Sequence, residues 1–346
     1  MAQSMGKVGS KPKGSRLARV LAGVVIGLMV ALLLAFAGVN IFIKVTYGPF
    51  FAQSEREFAI PGIEEGFIPQ DLDCLEDGTW IFSGYMTEGG PSPLYFLKPD
   101  GSTGSFQPVR VDGSDYGGHG SGITSDGVHV FLTDDEGILA FDLTDVQAVQ
   151  DGGLVQATAR RSLEFAPAFL NIEEDIMFLG NFYHPGAYET PEHHRLDTPG
   201  GDWNPAVMYA YPASPEAELG YEGQAAWVYS IPARIQGMCL AGANQLVLSQ
   251  SYGLNSSHLL VYDLVSITLD ESVLPTAVFF ADGREVPLYY LDTLGLVEDI
   301  KAPPMSEGIE WHDGRVFISC ESASNKYLFG KIYGGNAVYG LSLEEG

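Results

Sequence analysis

From about residue 66 onward, apolar and polar residues alternate with a period of two, in short runs broken by Gly, Asp and Pro. That is the pattern of strands with one face buried. Five stretches read as hairpins: "QDLDCLEDGTWIFSGY" from Gln70, "HGSGITSDGVHVFLTD" from His119, "APAFLNIEEDIMFLGN" from Ala166, "QGMCLAGANQLVLSQS" from Gln236 and "SEGIEWHDGRVFISCE" from Ser306. Each holds two strands around a tight turn, often Asp-Gly. A third strand follows each one: "PLYFLK", "GILAFDL", "AVMYAY", "HLLVYDL" and "NAVYGLSL". A fourth follows in four cases: "SFQPVRV", "TARRSLEF", "AAWVYSI" and, after a longer excursion, "EVPLYYLD". The hairpins begin 49, 47, 70 and 70 residues apart. Four antiparallel strands repeated at this period predict a β-propeller.

The fifth repeat lacks a fourth strand. "EREFAIPG", residues 55–62, precedes the first hairpin much as "WVYSIPARIQG" precedes the fourth. Residues 55–60 are therefore expected to supply the outer strand of the last blade and close the ring, which protects that blade's edge. The expected fold is all-β, a five-bladed β-propeller. A six-bladed ring is the alternative, if residues 264–300 hide another blade.

Ahead of the propeller the period changes. Val20 to Ile43 is apolar except for Asn40. Some 20 such residues cross a bilayer core as a helix. Lys7, Lys11, Lys13, Arg16 and Arg19 precede the segment, and Lys44 follows it. The positive-inside bias places the N-terminus in the cytoplasm. The expected organisation is a basic tail (1–19), a transmembrane signal-anchor (20–43), a linker (44–54) and an extracytoplasmic propeller (55–346). The alternative is a signal peptide cleaved near Ala37 and a secreted body. Both export the body; the anchor makes the lipid bilayer a partner.

Charge changes the picture of partners. Residues 1–44 hold six basic residues and no acid, leaving 12 of the 18 basic residues and all 44 acidic ones in the rest of the chain. A body this acidic repels phosphate backbones, so nucleic acid is excluded as a partner. Cation binding, or solubility alone, suits it better. Cys74, Cys239 and Cys320 sit inside apolar alternations and read as core residues, without the spacing of structural zinc.

Residues 55–346 carry the propeller pattern and resemble, more loosely, the lactonase, arylesterase and strictosidine-synthase-like propellers. That resemblance implies an exported or calcium-bound ring with polar residues at its axis. Their ligand pattern does not map onto this chain residue by residue, so no activity is carried over.

In an up-and-down blade the start of the first strand and the end of the second share one face, away from the inner turns. Gln70, Asp71, His119, Gln236, Ser306 and Glu307 begin the inner strands. Ser83, Ser249 and Ser319 align at the ends of the second strands, followed by Tyr85, Asn181, Ser251 and Glu321. Such a ring suits Ca²⁺, which takes six to eight oxygens, with Glu307 and Glu321 as candidate ligands. It equally suits a polar ligand, or groups that satisfy one another and ordered water. The long loop "NFYHPGAYETPEHHRLDTPGGDWNPAV" brings His184, His193, His194, Asp197 and Trp203 to the same face. It reads as a polar lid, with Zn²⁺ binding as the alternative. "SASNKYLFGKIYGG" sets Lys326 and Lys331 among aromatics, where they suit an anionic group.

Two functions follow. One is a membrane-anchored extracytoplasmic propeller that binds an unidentified ligand or protein on its loop face. The other is a calcium-dependent ester or lactone hydrolase, with His119 as general base. No GxSxG, HExxH or Gly-Lys-Ser/Thr motif completes a catalytic set.

Overall fold

At Asp313-Gly314 both residues take positive φ, 47° and 76°. This is the tight turn whose twist matches two antiparallel strands, and Gly314 takes such a φ at no steric cost. Glu174 and Asp175, at 49° and 62°, do the same without glycine. These turns lie at the tips of inner hairpins. In the computed structural model, which describes residues 14–242, 244–265, 277–327, 332 and 337–343, the chain divides into two units, residues 1–46 and 47–346.

The second unit is a five-bladed β-propeller. Blade one is Phe67–Cys74, Trp80–Met86, Leu94–Leu97 and Thr103–Val109. Blade two is Ile123–Ser125, His129–Thr133, Gly137–Asp142 and Ala159–Ser162. Blade three is Phe169–Glu173, Ile176–Gly180, Ala206–Pro212 and Trp227–Ile231. Blade four is Ile235–Ala241, Gln245–Gln250, Ser257–Asp263 and Leu296–Ala302. Blade five is Ser306–His312, Arg315–Cys320, Ala337–Leu341 and, from the start of this unit, Ser54–Ala59.

The fourth strand of blade four differs from the expectation. "EVPLYYLD" does not fill that place; Leu296–Ala302 does. Arg284–Tyr290 instead runs parallel to Trp227–Ile231 on the outside of blade three and forms a hairpin with Val278–Ala281. Residues 264–300 thus extend blade three and complete blade four, and their described part builds no sixth blade. Both segments alternate in the same way, so periodicity cannot choose between them.

The inner strands are tightly gathered. A Cβ on Gly308 would collide with the Asp71 carboxylate, and one on Gly237 would meet Gly308 Cα at 2.8 Å. Blades pack face to face through apolar clusters. Between blades five and one, Trp80 and Phe317 sit 4.6 Å apart, and Phe58 of the closing strand stacks on Phe317 at 6.2 Å. Cys239 and Cys320 are buried and Cys74 is half-buried, all three unbridged. The closing strand pairs Ser54 with Leu341 and Ala59 with Ala337, with a register shift between Arg56 and Phe58. Arg315 bonds Glu57 and lies 3.6 Å from Glu55. The stretch read as a linker carries a short helix, Gly48–Gln53, whose Phe50 is buried in the propeller core.

The first unit contains the helix Gly14–Thr46, with Ala18–Thr46 long and apolar enough to cross a membrane. A signal sequence near an N-terminus passes the same test.

Phe58→Ala is expected to cost about 3 kcal/mol, the lower end for loss of an aromatic from a packed site. Removing residues through Ala59 is expected to lower the melting temperature further and to expose the Ala337–Leu341 edge, giving oligomers on size exclusion. A truncated protein as stable and monomeric as its parent contradicts closure by this strand.

Candidate functional site

The second-strand serines explain how polar groups are aligned on the loop face. Ser83 Oγ donates to the carbonyl of Gly120 at 2.7 Å, which ties blade one to the segment leading into blade two. Ser249 Oγ lies 3.0 Å from Ser306 Oγ, which ties blade four to blade five in the same way. Ser319 is buried, and its hydroxyl has no described partner. These contacts fix the height at which the following residues emerge.

Two residues beyond Ser83 and Ser319, Tyr85 and Glu321 meet. Tyr85 donates its hydroxyl to Glu321 Oε1 at 2.9 Å, and Tyr327 donates to the same oxygen at 2.7 Å. Lys326 Nζ donates to the Tyr85 hydroxyl at 2.8 Å and lies over the rings of Tyr85 and Tyr327. His119 stacks on the other partner surface of this group, its ring 4.4 Å from that of Tyr85. Burial, then the Glu321 carboxylate, pushes both phenols well above the usual tyrosine range. Partial burial also pushes His119 below its usual pKa; Glu321 opposes this and Lys326 adds to it. The imidazole is open to water, so that effect is weaker than for an enclosed ring.

Below this cluster, Glu307 is 3% exposed. Burial, with Glu321 and Asp71 nearby, holds its carboxyl well above the usual range. That environment favours its neutral form over the carboxylate.

The rest of the channel is lined by more carboxyls. Asp71 accepts from the backbone N–H of Leu72 at 2.9 Å and of Ile123 at 2.8 Å, joining blades one and two. Glu173 accepts from Leu240 N–H at 3.1 Å, and Glu310 from Asn171 Nδ2 at 3.3 Å. Burial raises Asp73 to about 6 and Glu173 to about 7, and raises Asp71 and Glu310 strongly. Among the described residues, no three His, Cys, Asp or Glu side chains are grouped so as to hold a metal ion.

The structure therefore brings Glu307, Glu321, His119 and Lys326 together, and sends other predicted residues elsewhere. Asp71 has both oxygens committed to backbone amides. Gln70 is buried, and its amide turns back to the Pro69 carbonyl at 3.1 Å. Gln236 is half-buried at the register shift between Ile235 and Gly237. Asn181 accepts from Val207 N–H at 2.9 Å and contacts His194 Nδ1 at 2.7 Å, so it staples the histidine loop. Ser251 belongs to a separate pocket in blade four. Lys331 lies outside the described residues.

The histidine loop is only partly a lid. His194 is 1% exposed among Phe165, Tyr209 and Phe279, and burial drives it down to about 3, so its ring stays neutral. His184 stacks on Tyr252 at 3.8 Å. Tyr327, Asp73, Glu173 and Glu310 were not singled out from the sequence. The last three stand at inward positions of the inner strands, in "DLD", "NIEE" and "GIEW", where an acid is itself a signal. A concavity of about 300 Å³ lies on the turn face beside Asp77 and Asp100, away from this chemistry.

No protein-family model matches the chain. No curated protein matches it either. Among solved structures it is similar to the WD40 β-propeller domain of Doa1, with 9% identity and a TM-score of 0.39, over 84% of this chain and 97% of that one. At that level the likeness carries no argument; the propeller rests on the strand pairing itself.

The raised carboxyls set a pH dependence. Unfolded, they titrate near about 4. Their contribution is complete below that value and is lost as pH rises through about 6 and 7, where Asp73 and Glu173 ionise. His194 acts oppositely, losing its contribution only as pH falls below its unfolded value toward 3. The melting temperature is expected to be several degrees higher at pH 5 than at pH 8. Asp73→Asn with Glu173→Gln should flatten that difference. A wild-type protein more stable at pH 8 than at pH 5 contradicts it.

Proposed function

We propose that this chain is a membrane-anchored propeller that holds its loop face outside the cytoplasm and binds a polar ligand at the channel mouth. The observation that carries this reading is the Lys326–Tyr85–Glu321–Tyr327 network. It assembles cation, phenol and carboxylate from blades one and five, with His119 of blade two beside them. Its groups are already hydrogen-bonded to one another, so a ligand meets a preformed surface and little ordering is needed on binding. The apolar helix preceded by basic residues supports the anchor and its orientation.

A calcium-dependent ester or lactone hydrolase is the second reading. It is favoured by the closeness of Glu307 to Glu321, and by the looser resemblance to lactonase-like propellers. It has less support, because burial favours the neutral form of Glu307 over the carboxylate a cation needs, and Glu321 Oε1 already accepts two phenols.

The two readings separate in a thermal melt of residues 47–346 with Ca²⁺ and with chelator, followed by a screen of polar small molecules. Binding predicts no calcium shift, and hits that vanish in Lys326→Ala and His119→Ala at unchanged stability. A calcium shift of several degrees, with ester or lactone turnover abolished by Glu307→Gln, overturns binding in favour of the hydrolase. For the anchor, protease added to intact cells should remove the propeller; full protection contradicts the orientation.

A further inference from the structure

Blade four holds a cavity of about 250 Å³ on the loop face, separate from the channel mouth. Three strands of the blade and the residue leading into the inner one contribute to it. Arg234 precedes the inner strand, Gln250 and Ser251 end the second, His258 begins the third and Lys301 ends the fourth. Tyr252 forms part of the wall, and no carboxylate lines it.

Cations are scarce in this acidic body, and others are committed. Arg110 and Arg160 pair with Asp134, Arg195 with Glu189 and Arg315 with Glu57. Arg234 and Lys301 form no ion pair or hydrogen bond through their side chains with any described residue. Ser251 is 3% exposed, and its hydroxyl has no described partner. A buried hydroxyl left unpaired costs free energy unless a ligand or water satisfies it. Asp299, beside the pocket, is engaged by His258 Nδ1 at 2.6 Å.

The backbone supports the same site. Arg234 takes φ 65°, in the left-handed region that a non-glycine residue rarely occupies. Its carbonyl accepts from Ser251 N–H at 2.9 Å, which fixes the arginine against the serine.

We infer that this pocket binds an anionic sugar. Arg234 and Lys301 take the negative group. The Asn255 amide, the Gln250 side-chain oxygen (its Nε2 donates to the Ala233 carbonyl at 2.9 Å) and the Ser251 hydroxyl meet sugar hydroxyls, and the Tyr252 ring, held by its stack on His184, adds apolar wall. The cavity is larger than a bare oxyanion needs. No residue is shared with the channel mouth, so the inference does not rest on the function proposed above.

The test is calorimetric titration of the full chain in detergent with glucuronate, glucose 6-sulfate, glucose 6-phosphate, glucose and inorganic phosphate. At least one of the three anionic sugars is expected to bind, with glucose and phosphate each about tenfold weaker or more, since a charged hydrogen bond is worth that much. The three charged sugars distinguish carboxylate, sulfate and phosphate as the anionic group. Arg234→Gly suits the left-handed backbone and Lys301→Ala lies at the surface, so both variants should melt like the parent. Each should weaken binding about tenfold. Lys98→Ala, on the turn face and outside both sites, should not. The inference is overturned if no anionic sugar binds, if phosphate binds as tightly as the sugars, or if Arg234→Gly and Lys301→Ala bind like the parent.

Discussion

The pairing of Ser54–Ala59 with Ala337–Leu341 is the constraint on which the propeller depends. Each blade buries one face against the next, so a ring of sheets is stable only if the last meets the first. Here the meeting is made by two chain segments almost three hundred residues apart in sequence. Backbone pairing supplies direction, and Phe58 supplies packing against Trp80, Phe82 and Phe317. The Arg315–Glu57 bond adds a polar tie from the second strand of blade five to the closing strand. Without this seam, blade five would present an unpaired edge, and the close approach of Asp71 to Gly308 at the axis would lose its support.

That gathered axis determines what the channel can be. Strands that meet at Gly237, Gly308 and Asp71 leave the carboxyls of Asp73 and Glu307 buried and those of Glu173 and Glu310 half-buried. Desolvation then raises their pKa values toward the neutral forms, which works against the cation binding that the acidic composition suggests. Polar chemistry open to solvent is displaced to the loop face, where Tyr85, His119, Glu321, Lys326 and Tyr327 gather.

Much of this was legible in the sequence, for reasons that differ by element. The inner hairpins announced themselves because alternation and Asp-Gly turns are local signals. The closing strand was legible only as the piece missing from the fifth repeat. Residues 264–300 misled, because Arg284–Tyr290 and Leu296–Ala302 alternate alike and the parallel pairing of the first with blade three is non-local. At the site, aligning strand ends brought out Glu307, Glu321 and His119, and the aromatic loop after Cys320 brought out Lys326. Alignment could not say that Asp71 would spend its oxygens on Leu72 and Ile123, or Asn181 its amide on Val207 and His194. Those roles depend on what crosses from the neighbouring blade or loop. Arg234 and Lys301 carried no signal in one dimension, being 67 residues apart; only the blade's fourth strand brings them together.

The most direct test of this account is native-state hydrogen exchange of the hydrogen-bonded amides in Ser54–Ala59, compared with those of the inner strand Phe67–Cys74. If the seam holds the ring, both sets open together, with the same free energy and the same denaturant dependence. If Ser54–Ala59 exchanges by local fraying while Phe67–Cys74 stays fully protected, the ring stands without its seam and the account is contradicted.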